Sequence, residues 1–239
     1  MHKLTSLLVV SAHAADYVWR SGGTIAKYVK MGKSVQIVSL SFGERGESAS
    51  LWKEGKNLEE IKRVRREESE NAAKALGAPI RFLDWDDYPL VIDRPRLFEL
   101  VRLLREFQPE AILTHGPNDP FNEDHETTAK AVRSASIFSI ARGVMPELEV
   151  CKQSRLFGFE HHQSELSSFY PDVLIDVTET YDAKKKAMDC FETQKDLIEY
   201  YGNRAAMRGN HARRISGNPG YRYAEAFLRY YPFVGGELL

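Results

Sequence analysis

Cysteine is scarce: the 239-residue chain has two, Cys151 and Cys190, and they form no Cys-x-x-Cys pattern. A disulfide scaffold is excluded, and a reducing cytoplasmic setting is the simplest one, although the two could close one disulfide. Net charge is nearly absent, at −1 from 33 basic and 34 acidic residues. No overall field draws the chain to nucleic acid or to an anionic membrane, and no stretch interleaves basic with aromatic residues as a nucleic-acid groove would. Long apolar runs are missing too. The one near the start, Leu4 to Ser11, is too short to span a bilayer and has no small-residue cleavage site after it. It reads as a first strand. With no repeat, low-complexity tract or linker, residues 1–239 read as one domain, with 155–239 a less regular part over the active-site edge.

What is present is alternation. Hydrophobic residues make up 43% of the chain, enough for a substantial core. Strands are expected at Leu4–Ser11, Ser34–Leu40, Ile80–Leu83 and Ala111–Thr114. Helices are expected at about Ser21–Met31, at Leu58–Leu76 with Gly77 as its stop, at Pro95–Gln108, and from about Asp124 to Ile140. This order predicts an α/β fold, a doubly wound, mostly parallel sheet with helices on both faces. Further on, Arg155–Glu160 and Val173–Asp176 read as strands and Thr178–Tyr200 as a helix. The Arg-, Gly- and Asn-rich segment Gly202–Tyr221 reads as a loop, and Tyr223–Tyr230 as a short closing helix.

Ligands of open α/β sheets bind just outside the carboxyl ends of the strands. The first strand ends there in Ser11-Ala12-His13-Ala14-Ala15-Asp16, and the fourth runs into a polar loop from His115 to His125. Two histidines and an aspartate from two neighbouring loops suit a catalytic zinc, which takes three protein ligands and leaves a fourth position open. The alternatives are a solvated turn for His13 and Asp16 and a solvent-facing first-turn residue for His125. His115 reads better as a histidine bonded within its loop than as a ligand.

Ser11-Ala12-His13-Ala14-Ala15-Asp16 with Gly22-Gly23-Thr24, and Asn118-Asp119-Pro120 with Asp124-His125, resemble the motifs of the zinc-dependent PIG-L (LmbE-like) deacetylase family. Arg65-Arg66-Glu67-Glu68, Glu192-Thr193-Gln194 and Tyr223-Ala224-Glu225-Ala226-Phe227 are similar to it as well. The resemblance implies a Rossmann-like fold and a Zn2+ held by His13, Asp16 and His125. In those deacetylases the residue at position 15 is an aspartate, the general base; here it is alanine, which accepts no proton. At position 122 they often place a histidine that stabilises the oxyanion, where this chain has asparagine. One branch of the family shares these features. The run His13-Ala14-Ala15-Asp16-Tyr17-Val18-Trp19-Arg20, the loop Ser41-Phe42-Gly43-Glu44-Arg45-Gly46-Glu47-Ser48 and Phe159-Glu160-His161-His162-Gln163 resemble the 4-oxalomesaconate hydratases of gallate degradation.

That resemblance implies water addition to an unsaturated 2-oxo tricarboxylate. The chemistry needs a Lewis acid for the developing enolate, two proton carriers, and groups that hold carboxylates. Glu47 and His162 are the expected proton carriers, with Glu44 as rival to the first and His161 not separable from the second by sequence. Arg20, Arg45 and Asn122 are the expected substrate contacts. Arg66 is expected as structural support tied to Glu68 or another acidic group, and Trp19 as packing. Arg204, Arg208, Arg213 and Arg214 read as a solvated face or subunit contact, or else as a loop closing over the substrate. The partner is a small anionic substrate, with neither nucleic acid nor membrane, and the assembly a homo-oligomer. Two other readings are an N-deacetylase acting on an N-acetyl sugar or related amide, and a non-catalytic binder of small anions.

Overall fold

A computed structural model describes residues 4–235. Five strands run parallel: β1 (Ser6–Ser11), β2 (Ser34–Ser39), β3 (Ile80–Phe82), β4 (Ala111–His115) and β5 (Arg155–Phe159). Two more, β6 (Val173–Asp176) and β7 (Ala224–Arg229), complete the sheet in the order β3-β2-β1-β4-β5-β7-β6. Only β7 runs against its neighbours among these strands. Helices α1 (Asp16–Lys30), α3 (Leu58–Leu76), α6 (Tyr181–Met188) and α7 (Leu197–Ser216) supply one apolar layer, while α4 (Arg94–Phe107) and α5 (Glu123–Ser139) supply the other. The short α2 (Ala49–Lys53) follows the loop after β2.

The period-2 geometry of a strand explains the two layers. In β1, Leu7 and Val9 join one core and Leu8 and Val10 the other, so a continuous apolar run is what this position demands. Burying each such side chain contributes about 1.5–3 kcal/mol. Because β2 lies on one side of β1 and β4 on the other, the chain reverses its winding at β1. The loops after β1 and β4 therefore flank the crevice where such sheets bind ligands.

The doubly wound prediction holds, and the differences lie at helix ends and in the last hundred residues. Helix α1 begins at Asp16, five residues earlier than expected, with its acidic residue in the first turn where the helix dipole favours negative charge. The expected helix Thr178–Tyr200 is broken between α6 and α7, and the expected loop Gly202–Tyr221 is mostly helix α7. The expected closing helix Tyr223–Tyr230 is strand β7. Glycine misled there: Gly209 lies where α7 crosses the chain so closely that a Cβ would fall 2.0 Å from the Arg222 carbonyl oxygen. Gly209→Ala must push the helix away and is expected to destabilise the protein by about 3 kcal/mol. For a chain of this size that is a Tm lowered by roughly 6–12 °C, read by calorimetry.

Among the described residues, no helix is long and apolar enough to cross a membrane.

Candidate metal centre

Four side chains converge at the crevice beside β1. His13, Asp16, Glu47 and His125 each offer one donor atom, and these atoms all lie within 4.8 Å of one another. His13 and Asp16 come from the β1–α1 connection, Glu47 from the loop after β2, and His125 from the first turn of α5. His13 Nδ1 is 3.3 Å from an Asp16 oxygen and 3.2 Å from Glu47 Oε1, and His125 Nε2 is 3.5 Å from Asp16 Oδ1. His13 Nδ1 and His125 Nε2 are buried and have no hydrogen-bond partner. Two orphaned imidazole nitrogens facing carboxylates form a donor set able to hold a divalent cation, and its nitrogen and oxygen atoms are of the kind zinc takes.

The opposite ring nitrogens are already held. His13 Nε2 lies 3.2 Å from Asp124 Oδ2, and His125 Nδ1 lies 2.8 Å from Asp119 Oδ2. Such carboxylates fix the tautomer and orientation of a ligating histidine and raise its basicity. Asp124 is itself anchored by the backbone N–H groups of Tyr88 and Leu90, at 2.9 and 2.7 Å. Asp87 also lies near His13, but it accepts the N–H groups of Arg45 and Gly46 and so pins the loop after β2. In that loop Gly43 has φ +70°, and a Cβ there would press on both Glu47 and His13 at 3.2 Å. The glycine is what lets Glu47 reach the histidine.

Charge at the site follows from these contacts. Burial opposes a charged His13, but Glu47 foremost, then Asp124 and Asp16, outweigh it and hold His13 well above the usual histidine range. Burial likewise opposes a charged Asp16, yet the neighbouring imidazoles, His125 foremost, hold its carboxyl well below its ordinary value. Burial also works against Glu47, while His13 lowers it.

His115 is next to this centre but outside the donor set. It accepts the Ala12 N–H at Nε2 (3.0 Å) and stacks on His125 with ring centroids 4.0 Å apart. Burial and His125 push it down to about 3. A histidine depressed in the folded state contributes stability that is intact above the unfolded value near 6.5 and is lost as pH falls toward the folded value. Ordinary carboxylates have their midpoints near 4 and take up protons from about a unit above that. The metal-free protein is therefore expected to lose stability between pH 6.5 and about 5, above most of the carboxylate titration. His115→Asn should flatten that part of the curve, as read by urea midpoints at a series of pH values.

The structure thus brings together four expected residues, His13, Asp16, His125 and Glu47. Glu44, the rival to Glu47, is fully buried and turned to Lys62 and its own loop. His162 is half-buried, stacked on Tyr200 and 3.3 Å from the Tyr201 hydroxyl, and burial and Arg20 lower its pKa. His161 separates from it: it is buried against Ser167 and Phe169. Asn122 caps α5 through its side-chain oxygen and donates Nδ2 to the Tyr88 hydroxyl at 3.2 Å.

The arginines differ from expectation. Arg20 is buried, with Nε 3.3 Å from Asp16 and Nη1 on the Glu160 carbonyl, so it braces the aspartate. Arg45 does not point into the cluster; its guanidinium is exposed and faces Asp86 at 3.6 Å. The residue bound to Glu68 is Arg65, not Arg66. Arg65 is fully buried, bonds Phe42 O, Glu68, Thr193 and Gln194, and approaches Glu47 at 3.7 Å, whereas Arg66 lies over the rings of Phe42 and Phe82. Arg204 and Arg208 are neither solvated nor on a loop: both clamp Glu160 from helix α7. Arg213 and Arg214 are exposed on the same helix. Trp19 is packing, stacked on Tyr201.

Asp119, Asp124, Tyr88 and Arg65 were not assigned roles from sequence. The spacing of Asp119 six residues before His125 was a readable sign of a histidine-orienting carboxylate. Nothing local marked Tyr88.

Comparison with known proteins finds relatives over nearly the whole chain. Residues 8–136 match the family model PIG-L, described as GlcNAc-PI de-N-acetylase. The chain is 42% identical over 237 residues to the 4-oxalmesaconate hydratase of Pseudomonas putida, covering 98% of this chain and 92% of that one. It superposes with a TM-score of 0.95 and 40% identity on the crystal structure of GalB, the 4-carboxy-2-hydroxymuconate hydratase from Pseudomonas putida KT2440, covering 99% and 100% of the two chains. The N,N'-diacetylchitobiose deacetylase of Pyrococcus horikoshii is similar in fold, with a TM-score of 0.80 at 24% identity over 95% of this chain and 84% of that one.

Proposed function

Given that the chain belongs to the PIG-L family, we propose that it is a zinc-dependent hydratase that adds water to 4-oxalomesaconate to give 4-carboxy-4-hydroxy-2-oxoadipate. The likeness to the Pseudomonas hydratase over nearly the whole chain supports this substrate. The observation that carries it is the source of the carboxylate beside the two orphaned imidazole nitrogens. Ala15 has no exposed surface and packs in the core, while Glu47 reaches the same donor cluster from the loop after β2. The hydrolase's aspartate is thus absent, and a base stands in a different place.

His13, Asp16 and His125 would hold the zinc, which when bound supplies a Lewis acid for the oxygen where negative charge develops. Glu47, beside those ligands, takes the proton of the attacking water. His162, half-buried beside the Tyr201 hydroxyl, gives the proton to the substrate carbon. Arg20 keeps Asp16 in place, and Asn122 presents an amide donor at the rim. This reading also places the enzyme in the cytoplasm as a homo-oligomer.

The test follows the ultraviolet absorbance of the conjugated tricarboxylate. Decay that a chelator abolishes and zinc restores is the expected result. Acetate release from N-acetylglucosamine derivatives should stay at background. Release at ordinary enzymatic rates without decay of the tricarboxylate would remove the hydratase in favour of a deacetylase.

A further inference from the structure

A tricarboxylate needs donors, and the arginines around this centre are committed elsewhere. Arg20 is bonded to Asp16 and the Glu160 carbonyl, Arg65 to Phe42 O, Glu68, Thr193 and Gln194, and Arg204 and Arg208 to Glu160. Arg45 faces Asp86 in solvent. Neutral donors are left for part of the work.

A cavity of about 480 Å³ opens between the Tyr88–Pro89 turn and residues 120–124, and its lining includes Asp124, the carboxylate that orients His13. We propose that the Tyr88 hydroxyl, paired with the Asn122 amide at this rim, binds a carboxylate of the substrate. The assignment rests on the hydratase reading above.

Three features of the chain hold Tyr88 in this place. Its backbone has φ +47°, in the left-handed region that a bulky aromatic residue rarely adopts. Such a conformation persists only when its surroundings impose it, and here the Tyr88 N–H donates to Asp124, the carboxylate that also orients His13. Its ring lies on Gly46: a Cβ at that position would come within 2.0 Å of a ring carbon. The glycine in the Glu44-Arg45-Gly46-Glu47 run thus makes room for the tyrosine, and the ring centroid stands 6.1 Å from that of His13. The third feature is the hydroxyl itself. It accepts a hydrogen from Asn122 Nδ2 at 3.2 Å, which leaves its own O–H free to donate. The residue is 49% exposed, so the hydroxyl meets whatever enters. The Asn122 amide carries a second hydrogen beyond the one given to Tyr88. A neutral O–H donor to a carboxylate makes a short, charge-assisted bond and needs no counter-ion.

Tyr88→Phe removes the oxygen alone and keeps the ring on Gly46. Zinc content and Tm should match the wild type. KM for the tricarboxylate should rise about tenfold, with kcat changed less than about threefold, and the Kd of propane-1,2,3-tricarboxylate, measured by calorimetry, should rise in parallel. Asn122→Asp keeps the oxygen that caps α5 but replaces the amide hydrogens with a negative charge, and should raise KM about a hundredfold. A wild type that turns over the tricarboxylate alongside a Tyr88→Phe variant with unchanged KM and Kd would overturn the tyrosine's role and leave the hydratase reading standing. A wild type with no turnover would remove both.

Discussion

Glu47→Gln is expected to lower kcat by about 10³ while metal content, fold and KM match the wild type. Glutamine has the same shape and still accepts a hydrogen bond, but it takes up no proton at neutral pH. Loss of a positioned general base slows a reaction by roughly 10²–10⁴, or about 3–5 kcal/mol of barrier. The fold should tolerate the change because Arg65 keeps four other partners and the loop stays pinned by Asp87. The pH profile adds a second readout. Its acid limb reports the base, and His13 holds the Glu47 carboxyl below its ordinary value in the metal-free centre. The variant should lose that limb. Steady-state rates beside zinc analysis of the same sample decide the matter: full activity would show that Glu47 is no base, and loss of zinc would make it a fourth ligand.

The centre was legible because its parts are local in sequence. His13 and Asp16 lie three residues apart at the end of an unmistakable strand, and His125 opens a helix after another. What could not be read was how distant elements use ordinary residues. The Ala-Glu-Ala run at 224–226 has helical propensity, yet it is a buried strand between β5 and β6. There Glu225 accepts the N–H groups of Gly23 and Thr24 and the Lys184 ammonium, joining β7 to α1 and α6. Tertiary context decides strand propensity far more than the residue does. The glycines of α7 mislead for a related reason. Gly209 marks a place where backbone meets backbone, which in a sequence looks the same as a loop. The arginines were misread because charge does not tell which carboxylate a side chain will meet: Arg204 and Arg208 converge on Glu160, 44 and 48 residues away.

Asp16→Asn is expected to abolish the metal centre itself. The carboxylate accepts the His13 N–H at 2.9 Å and Arg20 Nε at 3.3 Å, and it faces the Nε2 atoms of both His115 and His125. An asparagine amide must point its hydrogens at one of these donors, and it leaves the buried Arg20 guanidinium without its counter-charge. Removing one partner of a buried pair destabilises by about 3–5 kcal/mol, or a Tm lower by roughly 10 °C. Zinc should fall from about one per chain to near zero after dialysis, with activity below about a thousandth of wild type and no recovery on adding metal. The contrast is Asp124→Asn, which leaves His13, Asp16 and His125 in place but loosens the orientation of His13 and gives up one of the two backbone N–H groups, of Tyr88 and Leu90, that the carboxylate accepts. An orienting carboxylate is worth about 10–100-fold in metal affinity, so this variant should regain activity when zinc is supplied in excess. If both variants recovered alike, Asp16 would be an orienting residue rather than a ligand, and the cation would have to be held by the histidines with Glu47.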